Sequence, residues 1–294
     1  MLDTFALPKE LDFTPILMPI EHDGVRLPTS IGQKIVRDDT NQVLGIGKSR
    51  IAPTAYARSW NPFAEALEKS GLDLSGAECK FNHMGNGARM VADITLKSYN
   101  YDSIVGEKTA LQMRFRNSVD GSLRYDVSAF IKRLWCSNGQ ARIAENTSVK
   151  FKHTISTEPE KIGQVAATWP TILEDDAHLF NHMRKVPMER DTVQNFMTTN
   201  LCLTKTKVKT KVNEKWLGRM LSLWDTYSTS IGKNGYAFYN ALTHYGTHVD
   251  SNGLRGAEIG NVQLRQEQNV QALVRGDAFK KLIRYDDFEQ RLAA

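Results

Sequence analysis

Cysteine is scarce in this chain of 294 residues: three in all, at Cys79, Cys136 and Cys202. The number is odd, the positions are far apart and no C-x-x-C pair occurs. Neither a disulfide framework nor a cysteine zinc site is expected; free thiols in a reducing cytoplasm fit better. The sequence also lacks any apolar run near the ~20 residues of a membrane helix. Its opening stretch, Met1 to Glu10, carries the acidic Asp3 and no basic run, unlike a secretory leader. Familiar catalytic signatures are missing too. There is no G-x-S-x-G elbow, no P-loop, no dinucleotide fingerprint and no deaminase H-x-E with P-C-x-x-C. Gly45-Ile46-Gly47-Lys48 lacks the P-loop spacing, and Cys136 has no nearby His-Asp pair to activate it. No cofactor is expected.

What is present suits a folded chain. Hydrophobic residues make up 41% and charged ones 24%, enough for one large domain or a domain with a helical appendage. The net charge of +5 permits an anionic partner without demanding one.

Residues 1–30 hold Pro8, Pro15, Pro19 and Pro28 without periodic pattern and read as an extended arm. From residue 31 to 157 a β-rich core is expected. Ile35-Val36-Arg37 and Val43 to Ile46 flank the turn residues Asp38-Asp39-Thr40-Asn41, giving a first hairpin. Asn61 suits a helix N-cap, with Pro62 at the first helical position and a stop at Ser70-Gly71. A second hairpin joins Ala77–Asn82 to Ala88–Leu96, and a third joins Thr109–Ser118 to Ser122–Val127. Asp120-Gly121, at the tip of the third, is the strongest hairpin signal in the chain. After Ser128, Ala129-Phe130-Ile131 and Leu134-Trp135 recur at helical spacing, although Val127 to Ile131 also suits the end of a strand.

Residues 158–294 read as mainly helical, punctuated by Pro159, Pro170 and Pro187. Within them the lysine- and threonine-rich stretch 203–215 reads as an exposed connector. The expected class is α+β: antiparallel hairpins with helices in the N-terminal half and a helical C-terminal half.

Residues two apart share one face of a strand. Leu111, Met113 and Phe115 therefore face one way, and Gln112, Arg114 and Arg116 the other. Arg124 and Tyr125 on the returning strand, with Lys132 and Arg133 beyond, add cations and an aromatic ring. Guanidinium groups grip phosphates and aromatic rings stack on bases, the combination that single-stranded nucleic acid needs. A solvated face with its arginines paired to Asp120, Asp126 or Glu107 is the structural alternative. Lys205, Lys207, Lys209 and Lys211 alternate with Thr and Val, which suits either a linker or a phosphate-tracking loop.

Two histidine pairs stand at i, i+4: His178 with His182, and His244 with His248. On a helix such a pair can share a metal, with Asp175 or Asp250 as an oxygen ligand. Neither has the glutamate of a zinc protease, and Gly246 weakens the second helix. Packed or surface histidines are the structural alternative.

Taken in order, several landmarks resemble the phage- and plasmid-associated family called domain of unknown function 932. They are Val36 to Asn41 with Leu44-Gly45, Asn117 to Ser122, Arg133 to Gly139, Lys152-His153-Thr154, and Tyr239 to Thr243 with His248. Val119 and Trp135 depart from it, standing where members often have a histidine and an aliphatic residue. The resemblance implies a mobile-element setting close to nucleic-acid metabolism, with a distant likeness to phage single-strand annealing proteins. The leading expectation is a non-enzymatic single-stranded DNA-binding protein, a candidate annealing or recombination mediator and homo-oligomer. A metal-dependent nuclease or hydrolase using the histidine pairs, and a host-takeover or anti-defence factor, stand as alternatives.

Overall fold

Proline marks the edge of the first sheet. Pro15 and Pro19 bound strand β1 (Pro15–Pro19), and a residue without an N–H is best tolerated on an edge strand. A short ribbon follows, β2 (Glu21–His22) with β3 (Val25–Arg26), then β4 (Gln33–Arg37) and β5 (Val43–Gly47). The antiparallel sheet order is β1-β4-β5. The hairpin expected across Asp38 to Asn41 forms, with Asn41 at φ +57°. The extended arm expected over residues 1–30 is in part a sheet strand. The computed structural model describes residues 3–47, 53–123, 125–133, 148–151, 159–205, 210–248 and 256–292.

Helix α1 (Ala57–Glu68) starts earlier than Asn61, a correction to the expected cap. Tyr56 precedes it without a side-chain cap, so no capping signature marks the true start. Pro62 lies inside the helix and removes one N–H from its ladder. The expected stop holds: Ser70 Oγ donates to the Leu67 carbonyl at 2.6 Å, and Gly71 follows at φ +81°. Trp60, Phe63, Ala64 and Leu67 form the buried stripe, and Trp60 Nε1 donates to the Phe5 carbonyl at 2.7 Å.

Strands β6 (Glu78–Met84) and β7 (Arg89–Leu96) form the second expected hairpin, and Gly85, Asn86 and Gly87 all take positive φ between them. After the one-turn helix α2 (Asp102–Val105) come β8 (Thr109–Ser118), β9 (Tyr125–Arg133) and β10 (Ser148–Phe151). The five-stranded sheet runs β10-β9-β8-β7-β6. Ala129 to Arg133 continue a strand, which corrects the helical reading of that stretch. Leu134, Trp135 and Cys136 lie outside the described residues.

The C-terminal half is helical as expected: α3 (Pro159–Lys185), α4 (Arg190–Asn200), then β11 (Leu203–Lys205), β12 (Thr210–Val212), α5 (Glu214–Ile231), α6 (Gly235–Thr247), α7 (Gly256–Arg275), α8 (Asp277–Leu282) and α9 (Tyr285–Leu292). Pro170 does not break α3, which continues through it. The stretch read as a connector at 203–215 holds an antiparallel hairpin instead, with Leu203 opposite Val212 and Lys205 opposite Thr210. The fold class is α+β. Among the described residues no helix is long and apolar enough to cross a membrane.

The chain divides into two compact units, the first comprising Met1–Tyr99, Leu111–Ala129 and Asn146–Ile172, the second Asn100–Ala110, Phe130–Glu145 and Leu173–Ala294. In the first unit, Phe115 sits among Trp60, Phe63 and Tyr125 with ring centroids at 5.1, 5.3 and 5.0 Å. The second unit is built around α6, where Tyr236 to Thr243 are buried without a break. A helix buried on all sides belongs at the centre of its packing. Gly246 does not end α6. A β-carbon there would stand 3.2 Å from Val270 Cγ2 of α7, so the glycine lets the two helices approach.

Candidate nucleic-acid interface

The register of β7 and β8 decides what the arginine face meets. Arg114 lies opposite Asp93, and their side chains join in two contacts, Nε to Oδ1 at 2.6 Å and Nη2 to Oδ2 at 3.1 Å. Arg116 reaches Asp126 on β9, Nη2 to Oδ1 at 2.8 Å. Asp126 was an expected partner; Asp93 was not, and Asp120 approaches Arg89 instead, at 3.9 Å. A phosphate arriving at either arginine would meet a guanidinium already bonded to a carboxylate, in a setting where the arginine side chains are 15% and 22% exposed.

The aromatic rings of the hairpin, Tyr125 among them, are packed inside the first unit. Phe115 is fully buried and Tyr125 is 4% exposed, its hydroxyl pushed well above the ordinary tyrosine range by burial. Lys132 is half-buried, and Arg133 closes β9. Arg124 lies outside the described residues.

The histidine pairs do different things. His178 is exposed, whereas His182 is buried and its Nε2–H donates to the carbonyls of Ile283 (2.9 Å) and Arg284 (3.1 Å). That imidazole ties α3 to the turn between α8 and α9. The His244 and His248 rings lie with centroids 4.2 Å apart, tilted by 31°. Their Nδ1 atoms engage the Tyr227 hydroxyl (2.9 Å) and the Thr247 hydroxyl (3.0 Å). Among the described residues no group of three or more His, Cys, Asp or Glu comes together to hold a metal. Asp250 lies outside them, and Asp175 is exposed.

Burial, then His248 and Arg219, hold the His244 imidazole down at about 4 against an ordinary value of 6.5. The unfolded chain takes up a proton below 6.5 that the folded site refuses until about 4. His244 therefore contributes stability that is whole above the upper value and is lost as pH falls toward the lower one. Thermal melts between about pH 7 and about pH 5 should show the wild type losing ~1–3 kcal/mol more than His244→Asn. Equal losses would mean that His244 does not titrate in this way.

A different part of the second unit opens to solvent. The β11–β12 hairpin leads into α5, whose N-cap Asn213 accepts a hydrogen bond from the Trp216 N–H at 3.1 Å. On the first turns of α5, Trp216 and Arg219 lie three apart and share a side. With Asn213 and Lys215 they line a cleft of about 740 Å³. Trp216 stands edge-on to Tyr245, centroids 5.4 Å apart, which fixes the indole plane. Arg219 is steadied through Nη2, which donates to the His248 carbonyl at 3.2 Å. Of the lysine ladder, Lys205 and Lys211 stand on the two strands of the hairpin, while Lys207 and Lys209 lie outside the described residues.

Sequence reasoning found the lysines and missed the cleft. Trp216 opens a run of helical signals with Leu217, Met220, Leu221 and Trp224, and Arg219 belongs to no motif. The signal was there in the N-cap asparagine, which places both side chains on the first two turns.

The profile of the family described as Domain of unknown function (DUF932) matches residues 71–278. The chain belongs to this family. The DUF932 region takes in the arginine hairpin, the lysine hairpin and the cleft. It leaves the β1-β4-β5 sheet outside, and with it the landmarks from Val36 to Gly45. No curated protein and no solved structure matches the chain.

Proposed function

We propose that the protein binds single-stranded nucleic acid through its second unit. The observation that carries this reading is the cleft in which an indole and a guanidinium stand side by side at the end of a lysine-rich hairpin. Lys205, Lys207, Lys209, Lys211, Lys215 and Arg219 crowd a short stretch whose one acid is Glu214. Such charge tracks a phosphate backbone, and Trp216 offers a face on which any base can stack. The arginines of the β8–β9 hairpin support it less, because carboxylates hold them. Annealing of complementary strands, in the mobile-element setting that the family likeness suggests, is the finer form of this proposal.

The test is anisotropy titration with a labelled oligothymidylate and with duplex DNA across a salt series. Wild-type affinity is expected to favour the single strand and to fall log-linearly with salt. Trp216→Ala should weaken binding about 5- to 100-fold with little change in salt slope. Lys209→Gln and Lys211→Gln should each flatten that slope by about one unit or less. Unchanged affinity in Trp216→Ala, with binding lost in Arg114→Gln, would return the site to the first unit. Absence of any salt-sensitive binding by the wild type would end the reading.

A further inference from the structure

Asn213 lines the cleft with both of its backbone groups already engaged. Its N–H donates to the Cys202 carbonyl at 2.8 Å, and its carbonyl accepts from the Leu217 N–H at 2.9 Å. The side chain is pinned too, because Oδ1 accepts from the Trp216 N–H at 3.1 Å. A backbone N–H can only donate, so the amide oxygen faces the helix and Nδ2 turns away from it. Asn213 is exposed, and among the described residues Nδ2 has no partner. A helix cap needs only an oxygen, which serine or aspartate supplies as well. Asparagine adds a fixed donor beside the indole.

Position along α5 says what that donor meets. Asn213 lies three residues before Trp216, and Arg219 three residues after it. Each is the indole's neighbour on its own side, and all three line the same cleft. Six residues from Asn213 to Arg219 correspond to about 9 Å of helix. That matches the reach of one nucleotide, from its phosphate to the far edge of its base. Arg219 is held in place by the His248 carbonyl at 3.2 Å. With a phosphate on Arg219 and the base on the indole, the edge remote from the sugar comes to Asn213. On that edge thymine, uracil and guanine carry a keto oxygen, whereas cytosine and adenine carry an amino group.

We infer that Asn213 selects the stacked base by donating from Nδ2 to its keto oxygen, so that the cleft prefers thymine, uracil or guanine. This rests on the single-stranded binding proposed above and names the bases it takes. Asparagine can also hold adenine, but only by using its oxygen and nitrogen together. Here the oxygen belongs to the helix.

Anisotropy titration of the full chain with labelled oligodeoxyuridylate and oligodeoxycytidylate of one length tests this, at mildly alkaline pH. The two bases differ in the exocyclic group and in the ring proton beside it. Any difference in how the unbound strands stack is common to every variant. The wild type is expected to favour the uridylate by about 3- to 10-fold. Asn213→Ser keeps the cap oxygen without the donor and should lose most of that preference. Asn213→Asp caps with oxygens alone; it should bind both strands more weakly and shift the preference toward the cytidylate. Both should melt like the wild type, since serine and aspartate cap as asparagine does. Trp216→Ala removes the platform, so affinity and preference should fall together. A wild type that binds both strands equally overturns the inference, and so does a preference that Asn213→Ser retains. In either case a loss of affinity in Trp216→Ala still upholds the cleft. A wild type that binds neither strand, or binding that Trp216→Ala leaves unchanged, overturns both readings.

Discussion

Phe115→Ala should destabilise the first unit by about 3–5 kcal/mol, among the largest effects expected of any single change in the chain. The ring is fully buried, and it is the point where three others converge: Trp60 and Phe63 from α1 and Tyr125 from β9. Alanine removes the transfer term of an aromatic side chain and leaves a void. The walls of that void cannot easily collapse, because Trp60 is fixed by its bond to the Phe5 carbonyl. Phe115→Leu fills most of the space and should cost about 1–2 kcal/mol. Urea titration followed by tryptophan fluorescence reads both, as a lowered midpoint at unchanged slope. A midpoint that Phe115→Ala leaves in place would show that this strand face is not the core face.

Glu107→Ala tests the second unit. The Tyr236 hydroxyl donates to Glu107, and the Arg184 guanidinium lies 3.5 Å from the same carboxylate and 4.7 Å from the Tyr236 ring. The Glu107 side chain is 10% exposed and that of Arg184 is 28%. Its removal leaves a cation and a buried hydroxyl short of an acceptor, worth about 2–4 kcal/mol after allowance for the partial exposure of Arg184. Glu107→Gln keeps an acceptor for Tyr236 but no balancing charge, and should fall between alanine and the wild type. Thermal melts of the three proteins give the order. Equal stability of Gln and wild type would show that the hydrogen bond matters and the charge does not.

Turn chemistry made much of the fold legible. Asp38 to Asn41, Gly85 to Gly87 and Asp120-Gly121 each mark a reversal that the backbone makes, since positive φ leaves few residue types to choose from. Periodicity found the C-terminal helices for a similar reason. It failed at Ala129 to Arg133, because a continuous apolar run suits a buried strand and a helix equally. It failed again at the start of α1, where no side chain caps the helix. The lysine-rich hairpin hid because its strands are short and little in their composition asks for burial.

The site was less legible than the fold. Strand alternation placed Arg114 and Arg116 on one face correctly, but what lies opposite them is a matter of register. Asp93 stands twenty-one residues from Arg114 in the chain, and only the β7–β8 pairing brings it across. The histidine pairs shared a spacing and not an environment: His182 turns inward to two carbonyls while His178 stays in water. The cleft joins a helix cap to an indole and a guanidinium, a conjunction no linear motif announces.

Pro15 and Pro19 also set a limit on growth. A filament of sheets needs two open margins on every subunit, one to give and one to receive. Here β1 stands at one margin of its sheet, and at Pro15 and Pro19 it has no backbone proton to offer a newcomer. A stack joined through that margin would miss rungs at both ends of every ladder, so an exposed apolar sheet need not become the seed of a fibre.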